Sequence, residues 1–250
     1  MGGFKASLAN EIEKLYKKKK AVAIVIISLA VIVIGQLAVV GIRSGLGLKG
    51  AGSTEFPILV LSVFVNTVLP LFTALVAIDI FTGEFSHNTM KIALARPADR
   101  LKLFSAKIAA AAFFIGVNLL IVMVLSTLTG LLFNSSQITA SGFFKILLSY
   151  LISLFPAVTL ALAIVFLANI FKSGITVFFA SILLFLAFKI LGFLFPQYSS
   201  LFLTSMLDWY NLWIADSIPM AKISREFLIQ LGYAIMFFTA GYYLFDGKDL

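Results

Sequence analysis

Between Gly83 and Lys107 the sequence reads GEFSHNTMKIALARPADRLKLFSAK, and the residues whose types could do chemistry gather there. His87 is the one histidine of the chain, and Lys91, Arg96, Arg100, Lys102 and Lys107 crowd around Pro97. An imidazole titrates near neutrality and ligates metals. A single histidine in a chain without cysteine does not assemble a metal site by itself, so His87 reads as a solvated side chain. The same counts remove disulfides, thiol nucleophiles and the H-E-x-x-H zinc helix. No G-x-x-x-x-G-K-[ST] phosphate loop and no G-x-S-x-G nucleophile elbow occurs. GLGLKG, at positions 45–50, matches G-x-G-x-x-G. A pyrophosphate cradle needs a strand before that loop and a helix after it. Here it follows a long apolar run, and it reads as a flexible loop. The residues give catalysis no positive support, and the chain is expected to be no enzyme, with no metal or cofactor of its own.

The flanks are apolar. Of 250 residues, 61% are hydrophobic and only 12% charged, outside the range of soluble domains. Several runs exceed the roughly 20 apolar residues that cross a bilayer. The expected fold is an all-α polytopic membrane protein with six spans, at about 21–42, 57–80, 108–133, 143–171, 174–195 and 226–245. Little chain then remains for a soluble catalytic domain. The net charge of +8 reads as membrane orientation rather than nucleic-acid binding. With the N-terminus inside, thirteen of the nineteen Lys and Arg fall on inner segments and five on outer ones, with Lys189 inside a span. That excess places both termini in the cytoplasm and the chain in the cell membrane.

Residues 1–20 place Phe4, Leu8, Ile12, Leu15 and Tyr16 on one helical face, with Lys5, Lys14 and Lys17–Lys20 supplying a basic side. This predicts an amphipathic helix at the membrane surface. Segment 196–225 is too broken to span and too apolar for an ordinary loop. Its Tyr198, Trp209, Tyr210 and Trp213 suit a membrane interface, and one or two half-inserted helices are expected there. Polar residues inside the spans are few. Asn66, Asn118 and Lys189 are candidates for a substrate path, although Lys189 can instead snorkel to the interface. Asp79 reads as the carboxylate of the spans, at the inner end of the second. Pro70 and Pro156 predict kinks in spans two and four.

The opening segment now reads as helix, corner, helix. Ser86 or Asn88 can cap a short helix through TMKIALA. Pro97 ends it and can start the next, which runs on through Lys107 into span three. A rigid peg between two spans can pass a displacement from a soluble partner into the membrane; it can equally be a basic loop that only satisfies topology. As a docking element, Lys91, Arg96 and Arg100 would meet an acidic or carbonyl-rich groove, and Thr89, Ile92 and Leu94 would supply the packed contact.

Glu84, Thr89, Lys91, Leu94, Pro97, Arg100 and Lys107, with Glu84-Phe85 and Asn88-Thr89-Met90-Lys91, resemble the region between the second and third spans of type-2 ATP-binding-cassette (ABC) exporter permeases. The six-span plan and the amphipathic start extend the likeness along the chain. Ala98-Asp99 departs from it, where a small hydrophobic residue and Ser are common. The resemblance implies a coupling helix, within 83–103, that docks on a cytoplasmic ABC ATPase. It also implies ATP and Mg bound by that partner, and a second permease chain, identical or different. It implies export of an amphipathic or hydrophobic cargo, with peptide favoured. A secondary carrier or channel without an ATPase is the alternative.

Overall fold

A computed structural model describes residues 2–17, 19–46, 51–83, 100–134, 138–171 and 173–247. Seven long helices follow in order: α1 (Gly2–Tyr16), α2 (Lys19–Leu46), α3 (Glu55–Thr82), α4 (Arg100–Phe133), α5 (Ala140–Ile170), α6 (Gly174–Leu194) and α7 (Met220–Asp246). No strand occurs among the described residues. Stretches of α2 to α7 are long and apolar enough to cross a membrane.

The helix limits have local causes. Thr139 is extended at the start of α5 and its Oγ1 accepts the Gly142 amide at 3.1 Å, satisfying one of the free N–H groups of the first turn. α6 stops just before Pro196, whose ring forces the preceding residue out of helical geometry. α3 widens into π-helical turns at Phe64–Val68 and Ile78–Thr82. The first lies directly before Pro70, which has no N–H to give the carbonyl of Asn66 and crowds it, and a local widening relieves that conflict. α5, by contrast, continues as a helix through Pro156.

The centre of the bundle is α3 with α4 and α5. α5 packs along α7, α4 and α3, while α1 packs along α4 and α2 lies against α4 and α3. Tyr150 on α5 donates to the carbonyl of Pro57 at 2.9 Å and pairs with Ser126 of α4 at 3.1 Å, knotting three helices with one phenol. Where α4 passes the start of α3, Gly130 leaves room for backbone. A Cβ there would stand 3.0 Å from the carbonyl oxygen of Ser53. Gly130→Val is expected to force the two helices apart and lower stability by about 1–3 kcal/mol, read as a fall in the thermal unfolding midpoint of the detergent-solubilised chain.

On the outside, α2, α6 and α7 leave large apolar side chains uncovered, with Phe193 84% and Tyr243 78% exposed. Such faces meet lipid or another chain. The segment from Pro196 to Ile214, expected as half-inserted helices, consists of 3-10 turns at Pro196–Leu201 and Ser205–Asp208 and a single helical turn at Asn211–Ile214. Trp209 and Tyr210 do not face outward as the interface reading expected. Both are buried, and Trp209 stacks on Phe227 of α7 at 6.2 Å between ring centroids.

Candidate functional site

Two groups of polar residues stand out against the apolar bundle. The first lies where α1, α4, the end of α3 and the end of α7 meet. Glu11 on α1 and Lys107 on α4 are both buried, the latter completely, and Lys107 Nζ donates to Glu11 Oε2 at 3.2 Å and to the carbonyl of Ile80 at 3.1 Å. The ammonium also stands 5.9 Å from the centre of the Phe81 ring, a favourable place for a cation. Glu11 accepts a further bond from Lys14 at 2.8 Å. A buried ion pair holds only when its lone pairs and protons find partners, and here three helical segments supply them.

The same region is tied by aromatic packing. Phe104 of α4 meets Phe81 of α3 at 5.6 Å and Phe238 and Phe245 of α7 at 5.3 and 5.4 Å. At the rim, Arg100 donates to the backbone carbonyl of Asp246, and its Nη1 lies 3.8 Å from the Asp246 carboxylate. Gly83 and Arg100 are the two roots of the segment predicted to couple the chain to a partner. Of its named residues, Arg100 is described; Glu84, Thr89, Lys91, Ile92, Leu94, Arg96 and Pro97 lie outside the described residues, as does His87. The roots stand on a packed platform: Phe81, Thr82, Leu103 and Phe104 are all buried.

The second group lies between α3, α6 and the broken segment. Asn66, in the first π turn of α3, donates through Nδ2 to Asp208 Oδ1 at 2.7 Å and to the carbonyl of Ser62 at 2.9 Å. Lys189 of α6 donates to Asn66 Oδ1, and its Nζ lies 3.8 Å from Asp208 Oδ2. Lys189 is thus joined to α3 and to the broken segment. Tyr210 packs beside this set. Burial raises its phenol above the ordinary value, the Asp208 carboxylate adds to that rise, and a hydrogen bond with Ser62 opposes it. The phenol stays protonated at neutral pH and remains a donor. Two of the three predicted path residues, Asn66 and Lys189, are thus brought together. Asn118 is not among them; it is buried in α4 and donates to the carbonyl of Phe114, one turn back, at 2.8 Å.

Sequence reasoning missed two members. Glu11 lies on a helix whose sequence is dominated by lysines. Asp208 sits in an irregular segment, where no periodicity reports which way a side chain points. Glu226, buried in α7, is a further carboxylate in a membrane-length helix, so Asp79 is not the one acid to consider.

Beside Asn66 opens a cavity of about 250 Å³ between α3, α5 and α6, bounded by Pro70, Ile164 and Phe185. Ile164 and Phe185 also border a second cavity, of about 380 Å³, between α5, α6, α7 and residues 201–204. The larger is lined almost wholly by apolar side chains, and the smaller mixes them with Asn66, Thr67 and Ser181.

Against known proteins, the chain matches a family model described as ABC-2 family transporter protein over residues 7–192. The match runs from α1 almost to the end of α6 and leaves Asp208 and α7 outside it. No curated protein matches the chain.

Proposed function

We infer the function of this chain from its membership of the ABC-2 family of transporter proteins, to which it belongs over residues 7–192. It is a multi-pass membrane protein and the permease subunit of an ABC transporter. In the role we propose, a separate cytoplasmic ATPase, carrying the ATP and Mg, docks on residues 84–99. Two permease chains complete the transporter, both termini face the cytoplasm, and the cargo is an amphipathic or hydrophobic molecule, with peptide favoured.

The observation that supports coupling is the platform beneath that segment. Its two roots are held by the buried Glu11–Lys107 pair and by the Phe81, Phe104 and Phe245 rings. A push on 84–99 is therefore delivered to α1, α3, α4 and α7 together, because close-packed interiors transmit displacement rather than absorb it. Support for the cargo class is the apolar wall of the larger cavity, which would not replace the water of a strongly hydrated solute.

Reversing Lys91→Glu and Arg100→Glu together is expected to lower permease-dependent stimulation of the partner ATPase about tenfold or more, with the spans still folded. Arg100 also pairs with Asp246, so Asp246→Asn serves as the control and is expected to leave stimulation intact. Full stimulation in the double reversal would remove these residues from the docking surface.

A further inference from the structure

We propose that Lys189 and Asp208 bind one extended residue of a peptide along its edge. The residue's carbonyl accepts from Lys189 Nζ and its amide donates to Asp208 Oδ2, while its apolar side chain enters the cavity of about 250 Å³ beside Asn66. This deepens the transport reading and rests on its peptide cargo.

Asn66 spends both amide protons, on Asp208 Oδ1 and on the Ser62 carbonyl, and its Oδ1 accepts from Lys189. The two charged groups that it bridges keep unspent capacity. Lys189 Nζ and Asp208 Oδ2 stand 3.8 Å apart, too far for a hydrogen bond. An ammonium has three protons, and Lys189 gives one to Asn66. Asp208 Oδ2 accepts no hydrogen bond among the described residues. The side chains are 34% and 36% exposed, so a ligand reaches both. The pair thus offers a donor and an acceptor side by side. An extended residue has the matching edge, because its own N–H and C=O point the same way and bond one partner residue together in an antiparallel pair. The N–H and C=O of a lone trans amide point opposite ways, so a fatty amide meets only one of the two groups. The cavity lies where the side chain of such a residue needs it. Phe185 lines it, and Lys189 follows one turn later on the same face of α6. Its volume is below the roughly 300–1,000 Å³ of drug-sized sites, the scale of a single side chain. The hydroxyls of Thr67 and Ser181 donate to the carbonyls of Val63 and Val177 on their own helices, at 2.6 and 2.7 Å. Apart from these and Asn66 the lining is apolar, and an apolar side chain fits it.

The test uses the full chain in nanodiscs and two probes. One is the capped peptide acetyl-Ala-photoleucine-Ala-amide, whose diazirine lies in the central side chain. The other replaces the photoleucine N–H by an ester oxygen and is otherwise the same. Adducts are mapped by peptide mass spectrometry. The amide probe is expected to label Phe185 or Leu186, and the ester probe about tenfold less, as for one hydrogen bond to a charged group. Asp208→Asn keeps an oxygen for Asn66 and is expected to bring the two probes level. Lys189→Met is expected to lower the labelling by both, since both keep the carbonyl. If either variant does not fold, the two probes on the unaltered chain decide alone. Equal labelling by both probes there, labelling confined to outward-facing Phe193, or a preference that Asp208→Asn leaves intact overturns the proposal. The labelling needs no ATPase, so these results leave the permease reading in place. The expected labelling on a chain that purifies without an ATPase would overturn the permease reading alone.

Discussion

Truncating Glu11 to alanine is expected to destabilise the chain by about 3–5 kcal/mol, the cost of removing one partner of a buried ion pair. Lys107 is completely buried, and the change removes the carboxylate 3.2 Å from its ammonium. The paired change Glu11→Leu with Lys107→Met replaces two ions by apolar groups of similar size, which is often neutral or stabilising. Thermal unfolding in detergent is therefore expected to drop sharply for the single variant and to recover in the double one. The recovered protein then isolates the functional question. With α1 no longer pinned to α4 by charge, its coupling to an ATPase is expected to weaken although the fold survives. A single variant that loses less than about 1 kcal/mol, as surface pairs do, would show that the pair does not hold α1 in place.

Asp208→Ala is expected to free the broken segment from the bundle. Asp208 joins Asn66 of α3 at 2.7 Å and faces Lys189 of α6 at 3.8 Å, so one carboxylate anchors the segment to two helices. Lys189 and Asp208 each keep about a third of their side chain exposed, which weakens the ionic part. The short hydrogen bond to Asn66 carries more of the effect. Hydrogen exchange of backbone amides around Ser205–Asp208 is expected to accelerate about tenfold, the equivalent of roughly 1.4 kcal/mol lost from local opening. Exchanging the partners, as Lys189→Asp with Asp208→Lys, is expected to restore part of the protection. Equal exchange in wild type and Asp208→Ala would show that the aromatic packing of Trp209 on Phe227 and Phe155 holds the segment unaided.

The membrane-length helices and the apolar face of α1 were legible because both are periodic or continuous signals. Phe4, Leu8, Ile12 and Leu15 repeat at helical spacing whatever they pack against, and in the structure Leu15 is buried against the bundle. Glu11 was not legible. In sequence it reads as a surface acid beside Lys14, and its second partner, Lys107, lies 96 positions away. Asn66 and Lys189 were legible as costly polar groups in apolar runs, but their meeting was not, since nothing local reports which faces of two helices approach. Asp208 escaped for a different reason: an irregular backbone has no period from which to read direction. Pro70 announced a disturbance in α3, and the π turn before it carries Asn66, but the bond from Asn66 to Asp208, 142 positions away, has no local signal.

The family match and the packed residues around Gly83 and Arg100 are the support for the proposal that this permease works with a separate ATPase. Purifying the tagged chain from its native membranes in mild detergent, and assaying what accompanies it, tests this most directly. The expected result is a soluble ATPase in stoichiometric amount, with ATP hydrolysis that disappears from the preparation when Lys91→Glu and Arg100→Glu are introduced together. A chain that purifies alone, without ATP hydrolysis, under conditions that preserve other transporter complexes, would contradict it.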